Sequence, residues 1–136
     1  IGLSMAQRAE KIIGAEIVPE AVEDARFNAN LNGTENAELI CADAADAAAE
    51  LVARGIQPSV VIVDPPRKGC DETLLETIVK MEPEKVVYVS CDSATLARDL
   101  KYLCANGYEI RMCRGVDQFP QSVHVETCVL LSKQGQ

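Results

Sequence analysis

In Val86-Val87-Tyr88-Val89-Ser90-Cys91-Asp92-Ser93-Ala94-Thr95-Leu96-Ala97-Arg98-Asp99 a β-branched, aromatic-containing run stops at a small polar loop, and helical spacing takes over at Leu96, Leu100 and Leu103. A buried strand that hands over to a helix in this way marks the edge where open α/β sheets place their chemistry. Cys91 stands at that edge, held by the strand yet facing the crevice. The helix N-terminus that follows is a positive dipole end and favours a thiolate. For most of the six cysteines, Cys41, Cys70, Cys104, Cys113 and Cys128 among them, the plain reading is a small apolar side chain. The flanking residues set Cys91 apart.

The chain has 136 residues, 48% of them hydrophobic, which suits one globular, soluble domain with a sizeable core. No apolar run approaches a membrane span and no signal peptide is visible. Cysteines without CxxC or Cys/His spacing argue against zinc, and a core of this size needs no disulfide staples, so a reducing cytoplasm is the expected location. The formal charge of −8 sits badly with a nucleic-acid-binding face. Either this domain does not bind nucleic acid, or basic surface lies outside it. Ile1 opens directly into a helical pattern running to Lys11, with no cap before it, so the chain is expected to be a fragment of a longer protein.

Outward from the central stretch, strands and helices alternate. Lys11–Ile17 reads as a strand, and Pro19 opens a helix that stops at Gly33. Ala37–Cys41 is a strand followed by an Ala-rich helix closed by Gly55. Ser59–Val63 is a strand ended by Asp64-Pro65-Pro66-Arg67-Lys68-Gly69, and Asp71 opens the next helix. After Lys85–Ser90 and the helix Ala94–Ala105 come two last strands, Tyr108–Arg114 and Val123–Leu131. With no helix between them they pair antiparallel. The pattern is a doubly wound α/β fold, mostly parallel, with an antiparallel last strand.

Three acids stand at successive strand ends: Glu16, Asp43 and Asp64. A carboxylate in the Glu16 position can accept from both hydroxyls of a ribose. Asp43 is equally a nucleotide contact or the cap of its helix. Asp64, fixed by two prolines, is a turn residue or a site residue. No Gly-rich phosphate loop is present in the chain. The last strand opens with His124-Val125-Glu126, at the same end of the sheet as Cys91. His124 reads as a surface histidine. Glu126 is equally an exposed strand carboxylate or a group facing Cys91.

The combination of Asp64-Pro65-Pro66-Arg67-Lys68-Gly69, Val89-Ser90-Cys91-Asp92-Ser93-Ala94-Thr95-Leu96-Ala97-Arg98-Asp99, Phe119-Pro120 and His124-Val125-Glu126 resembles the RNA uracil-5 methyltransferases that use S-adenosylmethionine. The resemblance runs the whole chain, 1–136, as the C-terminal part of a catalytic domain. It departs at Asp92-Ser93, where the family commonly has Asn-Pro. It implies a Rossmann-like class I methyltransferase fold that here lacks the first strand and the Gly-rich loop. It also implies a mechanism. The Cys91 thiolate adds to carbon 6 of uracil, carbon 5 takes the sulfonium methyl, Glu126 removes the carbon 5 proton and Cys91 leaves by elimination. By the same resemblance Glu16, Asp43 and Asp64 contact S-adenosylmethionine, no metal is needed, and RNA is the partner, ribosomal RNA ahead of tRNA. An RNA-binding β-barrel, and in many members an iron–sulfur region, belong upstream, where the missing basic surface would lie.

Three other readings stand against this one. An RNA cytosine-5 methyltransferase needs a second Cys close after the prolines, where Arg67 stands and Cys70 comes too late. An N6-adenine enzyme needs an aromatic there and gives Cys91 and Glu126 no role. A non-catalytic nucleotide-binding module would be indifferent to Cys91. As a fragment the chain is expected to be inactive and to bind cofactor weakly. The strands of Glu16 and Asp64, missing the strand that belongs between them, are expected to pair directly or, preferably, to be covered by self-association.

Overall fold

The computed structural model describes residues 1–135 and divides them into two compact units, Ile1–Glu50 and the residues from Leu51 onward. In the first unit, β1 (Ile12–Glu16) and β2 (Ala37–Cys41) pair in parallel, Glu16 level with Cys41, through the helix α1 (Pro19–Leu31). Pro19 occupies the first turn of α1, and Gly33, at φ +63°, ends it by donating to Asn30. Helix α2 (Ala44–Ala53) starts on Asp43.

The first residues are not the amphipathic helix that their spacing predicts. Gly2–Arg8 is a 3-10 helix. Asn36 donates to the carbonyls of both Ala6 and Ala9, and the Ser4 hydroxyl bonds back to the Ile1 carbonyl (2.7 Å). Side chains thus take carbonyls that a longer α-helix would use.

The second unit is a four-stranded sheet in the order β3-β4-β6-β5, built from β3 (Val60–Val63), β4 (Lys85–Ser90), β5 (Tyr108–Val116) and β6 (Glu126–Lys133), with α3 (Glu72–Met81) and α4 (Ser93–Ala105). β3 and β4 are parallel, and β6 runs antiparallel between β4 and β5. The sequence places the last two strands together, as found. It does not show that β6 inserts beside β4, and that insertion brings the start of β6 to the end of β4. Of the two expectations for the Glu16 and Asp64 strands, direct pairing or the preferred self-association, direct pairing is not formed among the described residues: β1 pairs with β2 and β3 with β4.

Two faces of this sheet differ. Val86, Tyr88 and Ser90 alternate as buried residues along β4, and Val129 and Leu131 do so on β6. Tyr88 is level with Val129 and Val86 with Leu131, so these four share the face that forms the core. Ile78 and Leu103, both fully buried, belong to that core. On the other face Val87, Val89, Cys128 and Leu130 are only half-buried.

β6 begins at Glu126, not at Val123 as its sequence suggests. Gln121 adopts φ +72°, and the Ser122 side chain accepts from the His124 amide (3.2 Å). The turn therefore uses an amide that a strand would pair.

Candidate active site

The turn after β4 is pinned from beneath. The Ser90 hydroxyl, nearly buried, donates to the Asp92 carbonyl (2.8 Å) and accepts from the Asp92 amide (3.1 Å), with Cys91 at the apex between them. Asp92 then caps α4, accepting from the amides of Ala94 (3.1 Å) and Thr95 (2.9 Å). These bonds, the Thr95 amide first and its hydroxyl next, hold the Asp92 carboxyl below the usual carboxylate range. Asp92, not the Cys91 thiol, is thus the group that the end of the helix engages.

The register of β4 and β6 places Ser90 level with Thr127. Carried one residue further, it sets Cys91 opposite Glu126. Both belong to the half-buried face with Val89 and Cys128, and both are themselves half-buried. The parallel pair β3–β4 ends with Val63 level with Tyr88, so alternation puts Asp64, the next residue, on the face of Cys91. Three of the residues singled out from sequence, Asp64, Cys91 and Glu126, therefore follow or open paired strands at one edge of one sheet.

The other two lie in the first unit, at the C-terminal edge of its sheet. Glu16 is exposed, and its Oε1 accepts from the Val18 amide (3.0 Å). An open groove of about 220 Å³ runs beside it, lined by Gly2, Ile12, Gly14 and Leu39. A Cβ on Gly14 would stand 3.0 Å from the tip of the Leu39 side chain, a tight contact within the groove lining. Asp43 accepts from the Ala45 amide (2.9 Å), so its capping role is realised.

The Asp64–Gly69 loop is tied to α4. Its turn closes with the Gly69 amide donating to the Pro66 carbonyl (2.8 Å). The Thr95 hydroxyl lies 2.9 Å from the Arg67 carbonyl and 3.1 Å from Asp92 Oδ1, sharing its proton between them. Arg98 donates to the carbonyls of Lys68 (2.9 Å) and Cys70 (3.1 Å). Asp99, fully buried, accepts from the Cys70 amide (2.8 Å), the Tyr88 hydroxyl (2.5 Å) and Arg98 Nε (2.8 Å). Burial first, then the bond to Asp99, pushes the Tyr88 hydroxyl far above its usual range, and burial pushes the Cys70 thiol up to about 11. Cys70 is thus a protonated core thiol.

Arg67 and Lys68 remain exposed, and Arg67 Nη2 comes within 3.4 Å of His124 Nε2. The sequence reads His124 as a lone surface histidine and assigns no role to Tyr88, Thr95, Arg98 or Asp99. One signal for Asp99 was present. It falls three residues after Leu96 and four before Leu103, in the middle of the apolar stripe of α4.

Among the described residues no cluster of His, Cys, Asp and Glu could hold a metal ion, and no helix is long and apolar enough to cross a membrane.

A family model for tRNA (uracil-5-)-methyltransferase matches residues 1–134. A protein described as an uncharacterized RNA methyltransferase of Clostridium acetobutylicum is 49% identical over 133 residues, 98% of this chain and 29% of its own length. A counterpart in Bacillus cereus, described the same way, is 51% identical over 133 residues, with 98% of this chain and 29% of its own length covered. The chain thus spans less than a third of these relatives. The crystal structure of the Pyrococcus abyssi tRNA (uracil-54, C5)-methyltransferase, in complex with S-adenosyl-L-homocysteine, superimposes with a TM-score of 0.79 at 32% identity, covering 96% of this chain and 31% of that one. The fold is that of the Rossmann-like methyltransferases, and the chain belongs to the tRNA (uracil-5-)-methyltransferase family.

Proposed function

We propose that this chain is the C-terminal part of the catalytic domain of an enzyme that methylates carbon 5 of a uridine in RNA. The observation that carries the reading is the register that ends with Ser90 level with Thr127, which, carried one residue further, sets Cys91 opposite Glu126. Cys91 Sγ forms a bond to uracil carbon 6, and the ring electrons move to make carbon 5 nucleophilic. S-adenosylmethionine, when bound, supplies a methyl group on a sulfonium as the electrophile. Glu126 takes the proton from the methylated carbon 5, the carbon 5–carbon 6 double bond re-forms, and the Cys91 thiolate departs. The pinned turn Ser90–Asp92 holds the nucleophile in place throughout.

The residues present fit the cofactor. Glu16 offers a carboxylate with one oxygen on Val18 and an open groove beside it, which suits a ribose diol. Asp43 and Asp64 are the further proposed contacts, Asp43 through the carboxylate oxygen left over from its cap. As an isolated chain spanning 29% of its relatives, it is proposed to be inactive and to bind S-adenosylmethionine weakly, which calorimetry measures. The edges of β1 and β3, each unpaired within its own sheet, support self-association, measured by light scattering.

The cytosine-5 alternative loses ground on one observation. Its second thiol would have to be Cys70, which is buried, protonated and bonded through its amide to Asp99. On the RNA, the sequence resemblance favours ribosomal RNA, whereas the similarity to the Pyrococcus enzyme supports tRNA. Transcripts of both, compared as substrates, separate these.

The mechanism is tested in the active protein that carries this chain. RNA with 5-fluorouridine at the target should form a covalent adduct through Cys91, because fluorine blocks the last proton removal. Persistence of the adduct in Cys91→Ala refutes the assignment. Glu126→Gln should accumulate methylated RNA still attached to protein, and clean turnover by that variant removes Glu126 from the mechanism.

A further inference from the structure

The Asp64–Gly69 loop needs a fixed position if Asp64 and Arg67 act beside Cys91, yet its own bonds are few. Its turn contains one backbone hydrogen bond, from Gly69 to Pro66. Among the described residues, the side chains that bond its peptide groups come from α4. Thr95 reaches the carbonyl of Arg67, Arg98 the carbonyls of Lys68 and Cys70, and Asp99 the amide of Cys70. Three side chains of one helix thus grip consecutive peptide groups of one loop. The same helix starts at Asp92, the residue after Cys91, and Tyr88 of β4 completes the set by donating to Asp99.

Gly69 shows how close the grip is. Its φ is +76°, and a Cβ there would stand 2.6 Å from both Arg98 Nη2 and Asp99 Oδ2. Only a glycine lets the loop lie against the Arg98–Asp99 pair. Outward, the loop leaves the side chains of Arg67 and Lys68 exposed, with Arg67 reaching His124.

Stability alone is a poor reason to keep a fully buried carboxylate. Desolvating it costs more than a well-packed apolar residue would, and such groups are best understood when they fix one geometry among several. Here that geometry joins the thiol-bearing turn to the Asp64–Gly69 loop.

We infer that Thr95, Arg98 and Asp99, with Tyr88, form a positioning clamp that sets the Asp64–Gly69 loop, and with it Arg67, relative to Cys91. The inference rests on the reading of Cys91 as the nucleophile. The four residues do not touch the reacting atoms in this scheme; they act through the loop.

The test uses Arg98→Lys, which keeps a cation beside Asp99 but cannot span the Lys68 and Cys70 carbonyls, and Thr95→Val, which removes a different grip. Both are made in the active protein that carries this chain. Active sites are titrated with 5-fluorouridine RNA, so that a misfolded fraction does not count. Hydrogen exchange at Gly69 and Cys70 should accelerate, and kcat per titrated site should fall about 10- to 100-fold in Arg98→Lys, as expected for a small misplacement of positioned groups, with a smaller rise in the KM for S-adenosylmethionine because Asp64 belongs to the same loop. Thr95→Val should move the same way by a smaller factor. Faster exchange with kcat per site unchanged in both variants overturns the clamp and leaves the Cys91 assignment standing. An adduct that survives Cys91→Ala overturns the catalytic reading, whatever the exchange shows.

Discussion

Replacing Tyr88 by Phe removes one hydroxyl from the core of the second unit. The ring is fully buried and its hydroxyl makes a 2.5 Å bond to Asp99 Oδ2. Phe keeps the ring, so packing is preserved and no cavity opens. Asp99 is left with the Cys70 amide and Arg98, so its charge is not orphaned. The main loss is one hydrogen bond to a charged acceptor, worth about 1.5–3 kcal/mol, with a weaker contact to the Cys70 thiol lost beside it. With a urea m-value of about 1–3 kcal/mol/M, the midpoint should fall by roughly 1 M at neutral pH. Alkaline pH gives a second, independent check. Tyr88 and Cys70 both hold their protons more tightly in the folded state than at their ordinary values of 10.0 and 9.0. The stability they contribute is fully present below those ordinary values and is lost as pH rises toward the folded ones, because the unfolded chain then releases protons that the folded chain keeps. Wild type should therefore begin to lose stability near pH 9. From pH 10 upward the Tyr88 contribution should decay by up to about 1.4 kcal/mol per pH unit, a decay the Phe variant lacks. The gap between the two proteins should narrow. Urea titrations followed by circular dichroism at pH 7, 9, 10 and 11 measure it. A midpoint unchanged at pH 7, or a gap that stays constant to pH 11, refutes the role given to this hydroxyl.

Gly69→Ala should be destabilising by about 2–4 kcal/mol, combining a left-handed non-glycine residue with a contact that the Arg98–Asp99 pair must yield to; a urea midpoint within error of wild type would show that the loop is free to move away. Asp92→Asn keeps an oxygen for the Ala94 and Thr95 amides but removes the charge. Since the Asp92 carboxyl titrates below its ordinary range, its contribution is present above that range and is lost as pH falls through the lowered value. The melting temperatures of wild type and variant should therefore converge on acidification, and a constant difference would deny the carboxylate this role.

The parts of the site that lie at strand ends were legible because the chain announces them. The double proline after Val63 and the Ser-Cys-Asp run after Val89 interrupt apolar runs at fixed places. Element bounds elsewhere follow from Gly33, Gly55 and the acidic cap Asp71, whose capping bond the structure contains. The start of β6 was misplaced by three residues for a local reason. Val123-His124-Val125 has the composition of a strand, but the turn at Phe119–Ser122 uses the His124 amide. The two faces of β4 were also hidden. Val86 to Val89 reads as one unbroken apolar run, and only the pairing with β6 shows that Tyr88 enters the core while Val89 and Cys91 do not.

Asp99 marks the limit of such reading. Its spacing from Leu96 and Leu103 puts a carboxylate on the buried stripe of α4, and burial demands partners. Those partners are the Tyr88 hydroxyl, eleven residues back, and the amide of Cys70, twenty-nine back. A phenol in a strand can be suspected from its type. A peptide amide carries no side-chain signature at all, and its only trace in the sequence is the neighbouring Gly69, whose missing Cβ makes room for Asp99 Oδ2. The glycine that ends Asp64-Pro65-Pro66-Arg67-Lys68-Gly69 and the Arg98-Asp99 that ends the Cys91 stretch are therefore two halves of one contact. Each half explains why the other residue type is needed where it stands.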